Sequence, residues 1–137
     1  MANSVETILL VDDEETVRRF GARTLEKAGF RVVTAGTGAD AIVAHDEHGD
    51  VIDLLLTDVM MPGMSGRSLA ELLLARRPSL RILFMSGYAE DVLASDVGLV
   101  PGTAFLPKPF KPKALVAKVR EVLDSPRIDG AGNGQNS

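Results

Sequence analysis

Five short apolar runs recur along the chain. They are mostly continuous rather than alternating, which is typical of strands covered on both faces of a sheet. The runs are Ile8–Val11, Val32–Val33, Leu54–Leu56, Ile82–Met85 and Ala104–Leu106. We therefore predict five β-strands.

Segments with helical spacing of apolar residues lie between these runs. Their apolar stripes are Val17, Phe20, Leu25 and Ala28; Leu69, Leu72 and Leu73; and Leu115, Val119, Val122 and Leu123. Gly29 suits the position just past the first of these helices, and Ser65 suits the N-cap of the second, which Pro78 stops. Pro112 suits the first turn of the last helix. The stretches 39–48 and 89–97 have less regular helical spacing.

The alternation of strand and helix, repeated five times, predicts a doubly wound α/β domain with a parallel sheet and helices on both faces. The 137 residues suit one such domain. We expect it to span residues 6–124, after a flexible N-terminus at 1–5. The composition from residue 125 to 137 shifts to Asp, Gly, Asn, Gln and Ser, which predicts a disordered polar tail.

Composition excludes several classes of function. The net charge of −4 argues against a nucleic-acid binder that is held by phosphate contacts. The chain has no cysteine, which removes disulfides, thiolate chemistry and cysteine zinc sites. It has neither a signal-peptide pattern at its start nor an apolar run that could span a bilayer. We expect a cytoplasmic domain without membrane contact.

Polar side chains follow four of the predicted strands. Asp12 and Asp13 come after the first, Asp58 after the third, Ser86 after the fourth and Lys108 after the fifth. In an open parallel sheet, ligands bind outside the carboxyl ends of the strands. We therefore expect these five residues to meet at one edge of the sheet.

The chemistry of such a cluster indicates phosphoryl transfer. Three close carboxylates stay ionised together only beside a cation, and an oxygen-only ligand set favours Mg²⁺. Lys108 and Ser86 suit the oxygens of a phosphoryl group. Asp58, which leads into the turn formers Met61-Pro62-Gly63, is the carboxylate best placed to act as the nucleophile.

Four segments resemble the signature segments of response-regulator receiver domains of two-component signalling. They are LLVDDE, LLLTDVMMPGMSG, ILFMSGYAED and FLPKPF, and the similarity extends over residues 6–123. It implies a flavodoxin-like fold with strand order 2-1-3-4-5. The stretches VETILLVDDE and ILFMSGYAED look most like the terminal receiver of a hybrid sensor histidine kinase.

The resemblance also implies roles for the clustered residues. Asp58 would accept a phosphoryl group from a histidine kinase phosphohistidine. Asp13 and Asp58 would bind Mg²⁺ directly, with Asp12 acting through water and the Met60 backbone carbonyl completing the protein ligands.

The remaining implied roles concern the last strand and its neighbours. Ser86 and Phe105 would switch position on activation, and Lys108 would pair with the phosphoryl group. The Lys108–Pro109 peptide would be cis, and the fifth strand would be an edge strand, which tolerates Pro107.

The resemblance further implies a histidine kinase or phosphotransfer domain as partner, and no nucleic acid. It also leaves open a homodimer through one face of the domain. That face is made by the fourth predicted helix at 89–97, the fifth strand, and the fifth helix, which starts near Pro112.

Other interpretations stay open from the sequence. The chain would serve a hybrid kinase or act as a stand-alone regulator. A Mg²⁺-dependent aspartate phosphohydrolase would need a carboxylate two residues after the nucleophile, where Met60 stands, and usually a cap insertion. An interaction module that is never phosphorylated would not need the five intact site residues. His45 and His48 lack a third ligand near in sequence, so we predict a solvated helix end there rather than a metal site.

Overall fold

The computed structural model of the chain describes residues 5–86 and 103–124. Three predictions fall outside the described residues: most of the flexible N-terminus, the helix at 89–97 and the polar tail at 125–137. The elements, in chain order, are β1 (Thr7–Val11), α1 (Glu15–Lys27), β2 (Arg31–Ala35), α2 (Gly38–His48), a short 3-10 helix (Gly49–Val51), β3 (Ile52–Asp58), α3 (Gly66–Arg76), β4 (Arg81–Ser86), β5 (Thr103–Pro107) and α4 (Pro112–Asp124).

All five predicted strands are present and pair in parallel. Their order is β2-β1-β3-β4-β5, so the expected doubly wound topology is confirmed. β1, β3 and β4 lie inside the sheet and are almost wholly buried, as continuous apolar runs predict. β5 is an edge strand, and Pro107 at its end is exposed.

The two faces of the sheet carry separate apolar layers. Side chains alternate along β1, so that Ile8 and Leu10 pack with α1 and α4, while Leu9 and Val11 pack with α2 and α3. Two helices therefore cover each face within the described residues. The carboxyl ends of the strands lie between these helix pairs, where the polar residues follow.

The helix stripes were predicted only in part. Phe20 and Leu72 were expected to be buried, but 40% of Phe20 and 44% of Leu72 is exposed. In α1 the buried line runs four residues apart through Gly21 and Leu25, which turns Phe20 outward. The buried line of α3 similarly follows Gly66, Leu69, Ala70 and Leu73.

The predicted helix ends are confirmed. Gly29 follows the C-cap of α1 with a φ of 101°, a left-handed conformation that favours glycine. Ser65 caps α3, because its hydroxyl accepts a hydrogen bond from the Ser68 amide at 3.1 Å. Thr37 caps α2 in the same way, and α4 begins at Pro112.

The prediction for the histidines was wrong for one of the two. His48 is exposed, but His45 is 5% exposed and lies on the buried side of α2 with Ala41, one helical turn earlier. Helix geometry places residues four apart on one face, and here it outweighs the polarity of the imidazole. Across residues 5–86 and 103–124, no helix has the length and apolar character that crossing a membrane requires.

Candidate functional site

The structure brings the three predicted carboxylates together. Asp12 and Asp13 follow β1, and Asp58 ends β3, the strand that pairs with β1. Carboxylate oxygens of the three residues lie within 4.8 Å of one another. Among the described residues, this is the one group of three or more side chains that is arranged to hold a metal ion.

Lys108 reaches the same cluster from the end of β5. Its Nζ donates a hydrogen bond to Asp12 Oδ2 at 2.7 Å and lies 3.5 Å from Asp58 Oδ2. The Lys108 backbone amide donates to the Ser86 carbonyl oxygen at 2.8 Å, which anchors the lysine to the end of β4. The Lys108–Pro109 peptide is cis, as predicted.

Asp12 is held on every side. The residue is fully buried, and its Oδ1 accepts a hydrogen bond from the Glu14 amide at 2.9 Å while its Oδ2 accepts the one from Lys108. Its own amide donates to the Ala35 carbonyl oxygen at 3.2 Å. A buried carboxylate needs such partners, because each lone pair has lost its water.

Asp58 is also desolvated, and its side chain is only 11% exposed. Burial, helped by the negative charge of Asp12, raises the pKa of Asp58 from the ordinary 3.8 to a net value of about 6. The attraction of Lys108 and a hydrogen bond from the Met60 backbone oppose this rise. The ionised form of Asp58 is therefore disfavoured in the folded protein, and a bound cation would stabilise it.

In Lys108, unlike Asp58, the surroundings favour the charged form. Burial disfavours its charged form, but the hydrogen bond to Asp12 and the charges of Asp58 and Asp12 outweigh burial and raise the pKa of Lys108 above its ordinary 10.5. The ammonium is therefore charged at neutral pH. The cluster combines three carboxylates with one permanent cation.

The other predicted residues lie around this cluster. Ser86 ends β4, is fully buried and stands opposite Pro107 in the strand register. Phe105 pairs with Phe84 on the edge strand and packs, partly buried, against the layer under α2 and α3. The Met60 side chain is 60% exposed just beyond β3. Ser86 and Met60 thus lie at the edge of the sheet where the carboxylates meet, whereas Phe105 lies in the middle of β5.

The donor set fits a hard divalent cation. It contains only carboxylate oxygens, and oxygen-only sites favour Mg²⁺, whose bonds of about 2.1 Å place neighbouring ligand oxygens about 3–4 Å apart. The spacing within 4.8 Å is compatible with small side-chain adjustments. The cost of ionising Asp58 gives the site a physical reason to bind a cation.

Two residues that lie against the backbone of the cluster were missed from the sequence. Arg18 Nη1 donates a hydrogen bond to the Asp12 carbonyl oxygen at 2.6 Å. At Gly66, an added Cβ would lie 2.0 Å from the Asp58 carbonyl oxygen, so only glycine lets α3 begin this close to β3. The signal for Gly66 in the sequence was a glycine, a poor helix former, directly after the predicted N-cap Ser65.

Comparisons with known proteins agree with this geometry. The model of the response regulator receiver domain family matches residues 8–120. The chain is 40% identical over 118 residues to the sensor kinase CckA of Brucella abortus (strain 2308). The aligned region is 86% of this chain but only 12% of that protein. It is 36% identical over 119 residues to the response regulator receiver protein CpdR of the same organism. Here the aligned region is 87% of this chain and 98% of that protein.

Solved structures give the same result. The receiver domain of the hybrid histidine kinase CckA superposes with a TM-score of 0.75 at 35% identity, covering 86% of this chain and 99% of that one. A response regulator receiver protein from Sinorhizobium medicae superposes with a TM-score of 0.78 at 33% identity, covering 88% and 96%. The chain belongs to the response regulator receiver domain family of two-component signalling proteins.

Proposed function

We propose that this domain accepts a phosphoryl group onto Asp58 from a phosphohistidine and transmits the resulting change in conformation as a signal. The main support for this proposal is that three carboxylates and the Lys108 ammonium meet at the ends of three strands. The donor would be a histidine kinase or a phosphotransfer domain, the partner that a receiver domain implies.

The transfer uses the carboxylate of Asp58 as the nucleophile. One carboxylate oxygen attacks phosphorus, the bond between phosphorus and the histidine nitrogen breaks, and the imidazole departs with that electron pair. The product is an acyl phosphate on Asp58. The Lys108 ammonium and the Ser86 hydroxyl would hold the oxygens of the incoming group.

Mg²⁺ would be held by the Asp13 and Asp58 carboxylates and the Met60 backbone carbonyl, with Asp12 acting through water. When bound, it neutralises negative charge on the transferring phosphoryl group. The fit rests on the oxygen-only donor set and on the raised pKa of Asp58.

Signalling would follow from a change of partners around Asp58. Lys108 now bonds to Asp12, and a phosphoryl group on Asp58 would compete for that ammonium and draw the Ser86 hydroxyl toward it. Phe105 would turn with this rearrangement because its strand lies beside β4. Such contacts shift an equilibrium between two states that both exist beforehand.

The domain would act stoichiometrically rather than as an enzyme. Met60 stands two residues after Asp58, where an aspartate phosphohydrolase would need a carboxylate for proton transfer. The relatives in the comparisons include a receiver protein and transcriptional regulators. We therefore expect one phosphoryl group per chain and no sustained turnover.

We further propose that the domain belongs to a hybrid sensor histidine kinase, supported by its likeness to the receiver of CckA. The likeness to CpdR supports a stand-alone regulator as the alternative. A homodimer would use the face that includes the predicted helix at 89–97, which lies outside the described residues.

The test is labelling of the protein by acetyl phosphate with Mg²⁺, read by intact-mass spectrometry. We expect the mass of one phosphoryl group in the wild type and in Asp46→Asn, an exposed carboxylate outside the site. We expect none in Asp58→Asn. Labelling that persists in Asp58→Asn, or sustained hydrolysis of p-nitrophenyl phosphate by the wild type, would refute the proposal.

A further inference from the structure

We infer that Arg18 is a positioning residue for the Mg²⁺ site, because it fixes the peptide unit that carries Asp13. The inference rests on the proposed function and deepens it, since it concerns how the protein prepares its own metal ligands. It assigns Arg18 no contact with the ion or with the phosphoryl group.

Arg18 bridges from helix to strand end. It lies on α1, half-buried, and its Nη1 donates to the Asp12 carbonyl oxygen at 2.6 Å. Side chains on a helix lean toward the helix N-terminus, so an arginine at the end of the first turn of α1 can reach back to Asp12, the residue that follows β1. A charged donor makes this one of the stronger kinds of hydrogen bond.

The bond from Arg18 acts on Asp13 because the Asp12 carbonyl and the Asp13 amide belong to the same peptide unit. That unit is planar, so a bond to the carbonyl orients the amide and the Cα that follows. The Asp12 side chain and amide already have their own partners. Arg18 supplies the remaining restraint on this residue.

Asp13 depends on that restraint more than Asp12 does. Asp13 is exposed, and no hydrogen-bond partner for its carboxylate is found among residues 5–86 and 103–124. Its carboxylate nevertheless lies within 4.8 Å of those of Asp12 and Asp58. The backbone, rather than a side-chain contact, therefore sets where this ligand stands.

Gly36 lies beside the arginine, and its lack of a side chain leaves room for the guanidinium. A Cβ built on Gly36 would lie 3.0 Å from Arg18 Nη1 and 3.4 Å from Cζ. The Gly36 backbone is outside the left-handed region, so alanine is compatible with its conformation. The guanidinium sits at the end of a flexible side chain and can yield, and we expect that displacement to weaken its 2.6 Å bond to the Asp12 carbonyl oxygen.

Simple electrostatics makes the opposite prediction. Removing a positive charge near an anionic site should strengthen the binding of a cation. Loss of a positioning contact should weaken it, and groups that orient metal ligands typically contribute about tenfold or more to affinity. The sign of the change therefore separates a positioning role from a charge effect.

The experiment compares Mg²⁺ affinity in Arg18→Met, Gly36→Ala, the double variant and Arg18→Lys by titrating amide signals in NMR spectra. We expect the dissociation constant to rise about tenfold in Arg18→Met. A smaller rise is expected in Gly36→Ala, which keeps the charge, and in Arg18→Lys. The double variant should bind no more weakly than Arg18→Met alone, because both changes remove the same contact.

Urea unfolding in a chelator shows that each variant is folded before its affinity is compared. An Arg18→Met variant that binds Mg²⁺ as tightly as the wild type, or more tightly, overturns the inference. If Arg18→Met does not fold, unchanged affinity in both Arg18→Lys and Gly36→Ala overturns it instead. A wild type that binds no Mg²⁺ contradicts the proposed function itself, which is a separate result.

Discussion

Lys108 Nζ lies 2.7 Å from Asp12 Oδ2, while its distance to Asp58 Oδ2 is 3.5 Å. The lysine therefore bonds to the fully buried carboxylate and leaves the proposed acceptor with the longer contact. A buried charge left without its partner costs about 3–5 kcal/mol. This pair thus stabilises the cluster without a metal, and any new anion on Asp58 must compete with Asp12 for the same ammonium.

Lys108→Met should destabilise the protein without metal. Asp12 would lose its cation but keep the Glu14 amide, so we expect the free energy of unfolding to fall by about 2–4 kcal/mol in a chelator. Added Mg²⁺ should stabilise this variant more than the wild type, because no ammonium competes for the carboxylates. Urea titrations followed by circular dichroism measure both effects. Lys113→Met, at an exposed lysine on α4, is the control, and equal losses in the two variants would contradict the argument.

Asp58→Asn should have the opposite effect. The side chain is desolvated and faces Asp12, so its charge is a cost to the folded state at neutral pH. We expect the free energy of unfolding in a chelator to rise by about 1–3 kcal/mol. Chemical denaturation at pH 7 tests this. The control Asp46→Asn removes an exposed carboxylate that is ion-paired with Arg76 at 2.8 Å, and it should lower the free energy of unfolding by less than about 1 kcal/mol. An Asp58→Asn variant less stable than the wild type would show that the carboxylate is needed by the apo fold.

The same carboxyl predicts a pH dependence with a definite sign. The pKa of Asp58 is raised from 3.8 to about 6, so the folded protein binds this proton more tightly than the unfolded chain. That stabilisation is fully present below about pH 4 and is lost as the pH rises through about 6. The advantage of Asp58→Asn over the wild type should therefore grow between about pH 4 and 7, by at most about 3 kcal/mol. Denaturant titrations of both proteins across this range measure it, and a constant difference would refute the raised pKa.

The strands and the cluster were predictable because both depend on local order in the chain. A continuous apolar run indicates a strand inside a sheet, and parallel strands deliver the residues that follow them to one edge. Asp12, Asp58 and Lys108 could therefore be grouped without knowing any distance. The carboxylate spacing and the preference of Lys108 for Asp12 needed the packed structure.

Contacts between elements explain what was missed. Phe20 and Leu72 fit a helical stripe by composition, but the angle at which each helix packs decides which apolar residue turns outward. His45 is polar yet buried, because its place on α2 follows Ala41 by one turn. The bond from Arg18 to Asp12 joins α1 to β1 through a side chain, and no periodic pattern marks such a contact.

Gly66→Ala should damage the fold more than the matched substitution Gly38→Ala. Each glycine is the first residue of a helix with a side-chain N-cap, but a Cβ on Gly66 would meet the Asp58 backbone at 2.0 Å. A Cβ on Gly38 would instead meet the Met64 side chain, with Sδ at 2.7 Å and Cβ at 2.8 Å. Backbone in a central strand cannot yield, so we expect Gly66→Ala to lose about 3 kcal/mol or more and to lower phosphoryl labelling of Asp58. Gly38→Ala should lose less, because the Met64 sulfur can swing away, the Met64 Cβ belongs to a residue outside the helices and strands, and alanine favours the helix by about 1 kcal/mol. Thermal unfolding and acetyl phosphate labelling compare the two, and equal losses would mean that α3 can shift away from Asp58 freely.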